Sequence, residues 1–371
     1  MSKVRNIAAF VVVLASFNVY GQSAPFPVPP DLADEVRFWK TVFGTYDHNQ
    51  ILIHDAKHLE IIYQVVDLKI GGNAALKKAQ EKIAASLAHL SQNPPEETLS
   101  EEEKYYQKLF KTVPEKNKYA LAIERIRTQN GLRDSLKKAI AKSVSYIGDI
   151  EAIFEQHGLP KELSALIFVE SMFNPLAVSE VGASGLWQFM PHTGKKYVTM
   201  NSFWDDRNDP LNATKGAAAY LKILYQQTGD FALAINSYHS GVGRVQAGMR
   251  KLKSTEIANL IHNFKNPGYG FHSRNYYPKF LAVLQLYQNR RNYLGEITEA
   301  PPLTYDIVTT AEPVKLPEIA SRFAINMKDL RQLNTALKKG VLNGSLPLPP
   351  NYPLKVPKGF GYYLAAAIGH L

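Results

Sequence analysis

Glu170-Ser-Met-Phe-Asn-Pro-Leu-Ala-Val-Ser179, then Gly182-Ala-Ser-Gly-Leu-Trp-Gln-Phe-Met-Pro191, is where this chain concentrates residue types that carry chemistry. Glu170 closes a run, Leu163 to Val169, that is apolar but for Ser164. On a helix, Leu166 and Ile167 lie a turn back from Glu170 and set an apolar wall beside it. A carboxyl against such a wall loses hydration, and its pKa climbs toward neutrality. A glutamate at a helix end is ordinarily solvated, and Glu170 is set apart by its C-terminal neighbours. Gly182 and Gly185 permit close approach of backbone to a ligand. Gln188 offers both a donor and an acceptor. Trp187 and Phe189 suit a core or a flat stacking platform, core being the commoner use of any one aromatic ring.

The flanking segments read as helices. Ile147, Ile150, Ile153 and Phe154 share one helical face, Gly158 stops that helix, and Pro160 fits the first turn of the next, which ends near Glu170. A helix over about 213–228 is expected with Asn212 as its cap and Gly229 as its stop. Another is expected over 231–239, stopped near Gly241, and a later one carries Tyr277, Leu281 and Leu284. Residues from about 31 to 142 also read as helical. Helix formers are dense over 73–90, Asn93-Pro94-Pro95 is a break, and Ser100-Glu-Glu-Glu is capping chemistry for the next helix. His54-Asp55 lacks a third partner and reads as an ordinary surface or core histidine. Asp205, Asp206 and Asp209 read as helix and turn chemistry. Strand signals are scarce before residue 296. After Ala300-Pro301-Pro302, a linker, the pattern predicts a strand over 304–308, short helices over 316–323 and 327–334, and a closing strand over 354–357. The apolar tail at 362–368 reads as a last docking helix.

The 371 residues call for two or three domains. The absence of cysteine excludes disulfides, thiolate metal sites and a lipidated N-terminal cysteine. A net charge of +10 suits an anionic partner, and no zinc-finger or RNA-binding strand motif points to nucleic acid. Lys3 and Arg5 precede an apolar run over 7–17 and then Val19-Tyr20-Gly21, the pattern of a secretory signal peptide. The run is short of the roughly 20 residues a membrane span needs. Cleavage after Gly21 removes Lys3 and Arg5 and lowers the charge from +10 to +8. The expected protein is periplasmic or secreted, with no stable membrane anchor after cleavage.

A protonated carboxyl in a cleft is what glycosidic cleavage needs, because the leaving oxygen must take a proton. The stretch from Glu170 to Pro191 resembles the signature of lytic transglycosylases with a goose-type lysozyme-like fold, and more narrowly the membrane-bound lytic murein transglycosylase D group. Tyr146-Ile-Gly-Asp-Ile, Gly158-Leu-Pro-Lys-Glu-Leu, Tyr238 with Gly241-Val-Gly-Arg-Val, and Arg274-Asn-Tyr276 resemble the same group, over about residues 145–290. The fold class expected is mainly α. A signal peptide at 1–21 and a helical N-terminal region at 22–144 precede a lysozyme-like catalytic domain at 145–295. A small βααβ module at 304–357 is similar to a divergent LysM peptidoglycan-binding domain, and 358–371 is a tail. The resemblance implies Glu170 as the catalytic acid, with Ser179, Gln188 and Met190 lining the sugar site, Tyr238 near the carboxyl and Tyr276 on the cleft wall. It implies one carboxylate used twice. Glu170 protonates the oxygen between N-acetylmuramic acid and N-acetylglucosamine, then takes a proton from the muramic C6 hydroxyl as a 1,6-anhydro ring closes. No second acid is required. A monomer acting on peptidoglycan glycan strands, with no cofactor and no metal, is expected.

Two positions depart from that group. Its second motif has asparagine after the tyrosine, where this chain has His239, and its later segment has a glutamate where this chain has His272. In the cleft, two imidazoles gained and one carboxylate lost alter which sugar substituents are tolerated, acetylated against deacetylated amines, or admit water and favour hydrolysis as in a lysozyme. The alternative is that both histidines pack or hydrogen-bond locally. A third reading is a non-catalytic wall-binding protein, against which the intact Glu170, Ser179, Gln188 and Tyr238 set stands. His272→Glu is expected to change the relative rates on acetylated and deacetylated walls; an unchanged preference would remove His272 from substrate recognition.

Overall fold

The computed structural model of the protein describes residues 25–370, and the leader expected at 1–21 lies outside them. Helix α1 (Ala33–Gly44) turns Val36, Phe38, Trp39, Val42 and Phe43 into the core. Then come β1 (Gln50–Asp55), β2 (Ile62–Asp67), α2 (Gly72–Leu90), α3 (Glu101–Leu109), α4 (Lys118–Arg125), β3 (Ile126–Asn130) and α5 (Arg133–Ser143). The strands form an antiparallel sheet in the order β2-β1-β3. The region expected to be helical is therefore helical with a three-stranded sheet set into it. The reason lies in β1. Its Leu52 joins the core under α1, and His54 packs against Phe38 at 4.6 Å and Phe271 at 6.0 Å. Its Ile53 faces a second core with Ile83, Leu87, Tyr106 and Phe110. A strand buried on both faces shows no alternation of apolar and polar residues, so its signal cannot be told from a buried helix. Ser100 does open α3 with a capping box to Glu103.

The next elements wrap one core shared with α1 and α5: α6 (Ile147–Gln156), a 3-10 turn (Lys161–Ala165), α7 (Leu166–Ser171), α8 (Pro191–Tyr197), α9 (Pro210–Thr228), α10 (Phe231–Ser240), α11 (Val242–Leu252), α12 (Ile257–Asn263), α13 (Phe271–Gln288) and α14 (Arg290–Leu294). Helix α13 is the central member and packs on α1, α10 and α7. Trp39 on α1 donates its indole N–H to Asn275 Oδ1 at 2.7 Å. The cap of α9 is Asp209, not Asn212. Its carboxylate accepts from the backbone of Leu211 and Asn212 at 3.0 and 2.8 Å, and Pro210 takes the first helical position.

After the linker come β4 (Tyr305–Thr310), α15 (Leu316–Arg322), α16 (Met327–Leu333), α17 (Lys339–Leu342), β5 (Pro353–Pro357), α18 (Gly361–Ile368) and β6 (Gly369–His370). β4 and β5 pair antiparallel, with Tyr305 opposite Pro357. The strand–helix–helix–strand order is as expected, with α17 inserted and α18 closing on β4. Val308, Leu316, Leu330, Val341, Leu354 and Val356 fill its core. Among the described residues no helix is long and apolar enough to cross a membrane.

This small unit is tied to the segment between α8 and α9. The backbone N–H of Asp205 donates to Ala336 O and that of Lys338 to Phe203 O, both at 2.9 Å. The Thr335 hydroxyl donates to Asn208 O at 2.6 Å, and the Lys355 ammonium meets Asp209 at 2.7 Å. The other side of the same segment holds the glycine loop. Arg207, only 9% exposed, pairs with Asp205 and donates to Gly182 O and Phe189 O, each at 2.9 Å. Arg207→Met strands a buried carboxylate and frees two carbonyls, so a loss of about 3–5 kcal/mol in urea unfolding is expected. A loss under about 1 kcal/mol would place the pair among surface bridges.

Candidate active site

A 3-10 turn and the short α7 deliver Glu170 at the helix's last turn. The chain then leaves in left-handed backbone, with φ of 49° at Met172 and 57° at Phe173. Such conformations cost a non-glycine residue about 1–3 kcal/mol each and persist only where packing holds them. Phe173 is buried against Phe168, ring centroids 5.2 Å apart, which supplies that packing. Gln188 on the facing loop is likewise left-handed, at φ 47°. Strained backbone thus brackets Glu170 on its own strand of chain and on the loop beside it.

The hydroxyl of Tyr276 on α13 donates to Glu170 Oε1. Three residues along the same helix, the Lys279 ammonium lies 4.2 Å over the Trp39 ring and acts on the Glu170 charge. Burial pushes the Glu170 carboxyl up to about 7, against the opposing pull of the Tyr276 hydrogen bond and of Lys279. Burial likewise draws Lys279 down to about 8, with Glu170 resisting. The His239 ring stacks on Tyr276 at 4.7 Å and 14° while keeping an exposed edge. Loss of hydration and the cations Lys279, His272 and Arg244 hold its pKa below the usual histidine range. His272, exposed on α13 one turn before Tyr276, is lowered by burial, Lys279 and Arg127. His239 therefore sits against Tyr276, His272 acts on that imidazole, and both favour the neutral form.

Both tyrosines lie by the carboxyl, where the resemblance implies Tyr238 alone. Tyr276, expected on the wall, is the one bonded to Glu170. Tyr238 donates to Trp187 O at 2.8 Å and packs among Trp187, Phe189 and Tyr220, near enough for Glu170 to raise its pKa. Trp187 and Phe189 are buried core, the Trp187 indole donating to Thr214 Oγ1 at 2.9 Å. Ser179 pins the glycine loop, its hydroxyl oxygen accepting from Ala183 N–H at 2.9 Å. Gln188 spends its amide donors on Ala177 O and Gly185 O, at 3.1 and 2.9 Å, which leaves its carbonyl oxygen for a ligand. Met190 is half-buried at the start of α8.

Two residues of the site carry no clear sequence signal. Lys279 is marked only by its helical spacing from Tyr276. Asn236 is buried and joins α10 to α13, donating to Ser273 O at 2.7 Å and accepting from the Tyr269 hydroxyl at 2.9 Å. Together the parts make a carboxyl poised to give and take a proton near neutrality, with a hydroxyl and a cation that favour its ionised form. Among the described residues the charged side chain acting on it is Lys279, and no cluster of three His, Asp or Glu suits a metal ion. Tyr276→Phe and Lys279→Met each remove a group that favours the carboxylate. Carbon-detected NMR is expected to find Glu170 titrating at higher pH in both; a lower value in either would contradict the assignment.

Residues 150–261 match the family described as the transglycosylase SLT domain. Membrane-bound lytic murein transglycosylase D of Escherichia coli (strain K12) is 29% identical over 198 residues, 52% of this chain and 43% of that protein. Soluble lytic murein transglycosylase of Salmonella typhimurium is 35% identical over 105 residues, 25% of this chain and 16% of that protein. Among solved structures, lytic transglycosylase Slt from Pseudomonas aeruginosa has a TM-score of 0.33 at 24% identity, covering 41% of this chain and 25% of that one. The chain spans less than half the length of each of these. The matched family segment includes Glu170, Gln188 and Tyr238 but ends before α13, which brings Tyr276 and Lys279. The chain holds a transglycosylase SLT domain at residues 150–261 and is homologous to the lytic murein transglycosylases.

Proposed function

We propose that this protein cuts peptidoglycan glycan strands at the β-1,4 bond between N-acetylmuramic acid and N-acetylglucosamine, with Glu170 as its single catalytic carboxyl. The observation that carries the reading is a carboxyl raised to about 7, bonded by Tyr276, whose charged neighbour among the described residues is a lysine and not a second acid. Two-carboxylate glycosidases need a partner acid across the sugar. A single carboxyl near neutrality serves as acid and then as base. Protonated Glu170 gives its proton to the glycosidic oxygen as the C1–O bond breaks. Positive charge develops at muramic C1, shared by the ring oxygen or the acetamido group. The Glu170 carboxylate, eased by Tyr276 and Lys279, then takes the C6 hydroxyl proton while O6 bonds to C1. Glu170 ends as it began, no water is consumed, and the product carries a 1,6-anhydro end. Ser179, Gln188 and Met190 on the loop, with Tyr238, are assigned to the sugar on the other side. The relatives' names, murein transglycosylases soluble and membrane-bound, support the substrate class and a location outside the cytoplasm. The unit at 304–357 is assigned as LysM-like and wall-binding on its paired strands β4 and β5 enclosing α15 and α16, with α17 an insertion.

Hydrolysis of the same bond is the second reading. His239 and His272 favour it, because His239, exposed and stacked on Tyr276, offers a hydrogen-bonding site for water, and the exposed His272 replaces a carboxylate that would meet sugar substituents. Mass spectrometry of digests of native and chemically deacetylated peptidoglycan, with the protein and its Glu170→Gln variant, decides. Anhydro-muramic ends that vanish in the variant are expected. Reducing muramic ends with the same dependence would make it a lysozyme, and no products on either wall would leave a binding protein.

A further inference from the structure

We propose a second binding site, for the amino-acid end of a wall stem peptide, in the cavity between the start of α1, the turn joining β1 to β2, α12 and the first turn of α13. The proposal rests on the peptidoglycan reading for the identity of its ligand. The cavity encloses about 280 Å³ and its walls carry Asp31, Glu35, Lys57, His58, His262 and Arg274 among others. Most of its charges are matched. Asp34 pairs with Arg37 at 2.8 Å, Glu35 with His262 at 2.8 Å, Glu60 with His58 at 3.5 Å, and Lys57 with Glu115. Asp31 and Arg274 are left. Neither makes an ion pair or a side-chain hydrogen bond among the described residues, although both charges are felt by His262, and Arg274 Nε is buried without an acceptor.

An unpaired guanidinium with a buried N–H carries a desolvation cost that a ligand acceptor would relieve. Both line the cavity without pairing, so a negative and a positive group are open there to one ligand. An α-amino acid end, with ammonium and carboxylate on one carbon, satisfies both at once. A phosphate would serve Arg274 but meet Asp31 and the neighbouring acids. A neutral sugar would leave both charges unmatched. The volume suits one such residue, since pockets for larger organic ligands run to about 300–1,000 Å³.

The cavity's position also fits. Arg274 lies two residues before Tyr276, about 3 Å along the helix axis at 1.5 Å per residue. It sits in the first turn of α13, so a chain need only round the helix end to pass from the Glu170 side to the cavity. Stem peptides hang from the lactyl group of muramic acid, and each residue adds up to about 3.3–3.6 Å of reach. Three residues span about 10 Å, the diameter of a helix. Stems built with a diamino acid end in a free ammonium and carboxylate, the pair that Asp31 and Arg274 lack.

Isothermal titration of the protein with the tripeptide L-alanyl-γ-D-glutamyl-meso-diaminopimelate tests the site. Binding is expected, weakened at least tenfold by Arg274→Ala and by Asp31→Asn. Acetylating the free amine of the peptide should cost the wild type the same factor and erase the difference from Asp31→Asn. In digests, the ratio of turnover on peptide-bearing strands to that on amidase-stripped strands should fall about tenfold in Arg274→Ala. No binding by the wild type, or binding by the two variants as tight as the wild type's, overturns the proposal. Asp31 is exposed, so Asp31→Asn keeps the test decisive if Arg274→Ala fails to fold. A wild type that cuts neither strand type defeats the proposed function, while the titration still decides the cavity.

Discussion

Tyr276 meets Glu170 across the space between α13 and α7, and that hydrogen bond requires two helices held to a fraction of an ångström. Neither helix is held by its own propensity. α7 is one and a half turns long and is fixed by the left-handed exit through Met172 and Phe173. α13 is fixed from two sides, by Trp39 reaching Asn275 and by Asn236 reaching Ser273. The first helix of the chain is therefore part of the support of the site although no functional motif lies on it. The arrangement opposes stability in one direction only. A carboxyl whose pKa rises to about 7 on folding contributes fully in acid and costs stability as pH climbs through that value. The difference from an ordinary glutamate amounts to roughly 3 kcal/mol by the usual conversion.

The local chemistry of Glu170 through Pro191 is legible in the sequence because it is contiguous: an apolar helix, an acid, glycines at the turns and a polar loop residue. Helices α6 to α13 are legible for the same reason, each having its own period and its own stop. The illegible parts depend on contacts between distant segments. β1 is covered on both faces, by α1 and by α2 to α4, and so lacks the alternation that marks a strand. The roles of Tyr238 and Tyr276 cannot be told apart by spacing, since each lies on a helix and only the crossing of α10 with α13 decides whose hydroxyl reaches the acid. Lys279 is hidden because one lysine among many has no local signature. Asn212 reads as a cap where Asp209 is one, although Pro210 after Asp209 is the available clue.

Arg207 illustrates how a buried charge acts here. Its pairing with Asp205 is weak evidence of net stability, because both ions have left water to make it. Its geometric effect is more direct. One guanidinium ties Gly182 O and Phe189 O, the two ends of the loop that carries Gln188, to the segment leading into α9. Gly185 admits no side chain, since a Cβ there would fall 1.7 Å from Arg207 O and the backbone stands at φ +81°. The loop has one shape because the arginine and the missing side chain allow no other.

The opposite side of that segment bears the C-terminal unit through Ala336, Thr335, Lys338 and Lys355. A module on a flexible tether would raise the local concentration of its polymer over a broad range of distances, with an effective molarity set by linker length. A module bolted to the loop segment does something else. If the unit binds wall strands as proposed, a strand on its outer face would be presented to Glu170 at one offset and one angle. Anchorage and the proposed scission would then keep a common register, with the docked face as a ruler along the strand.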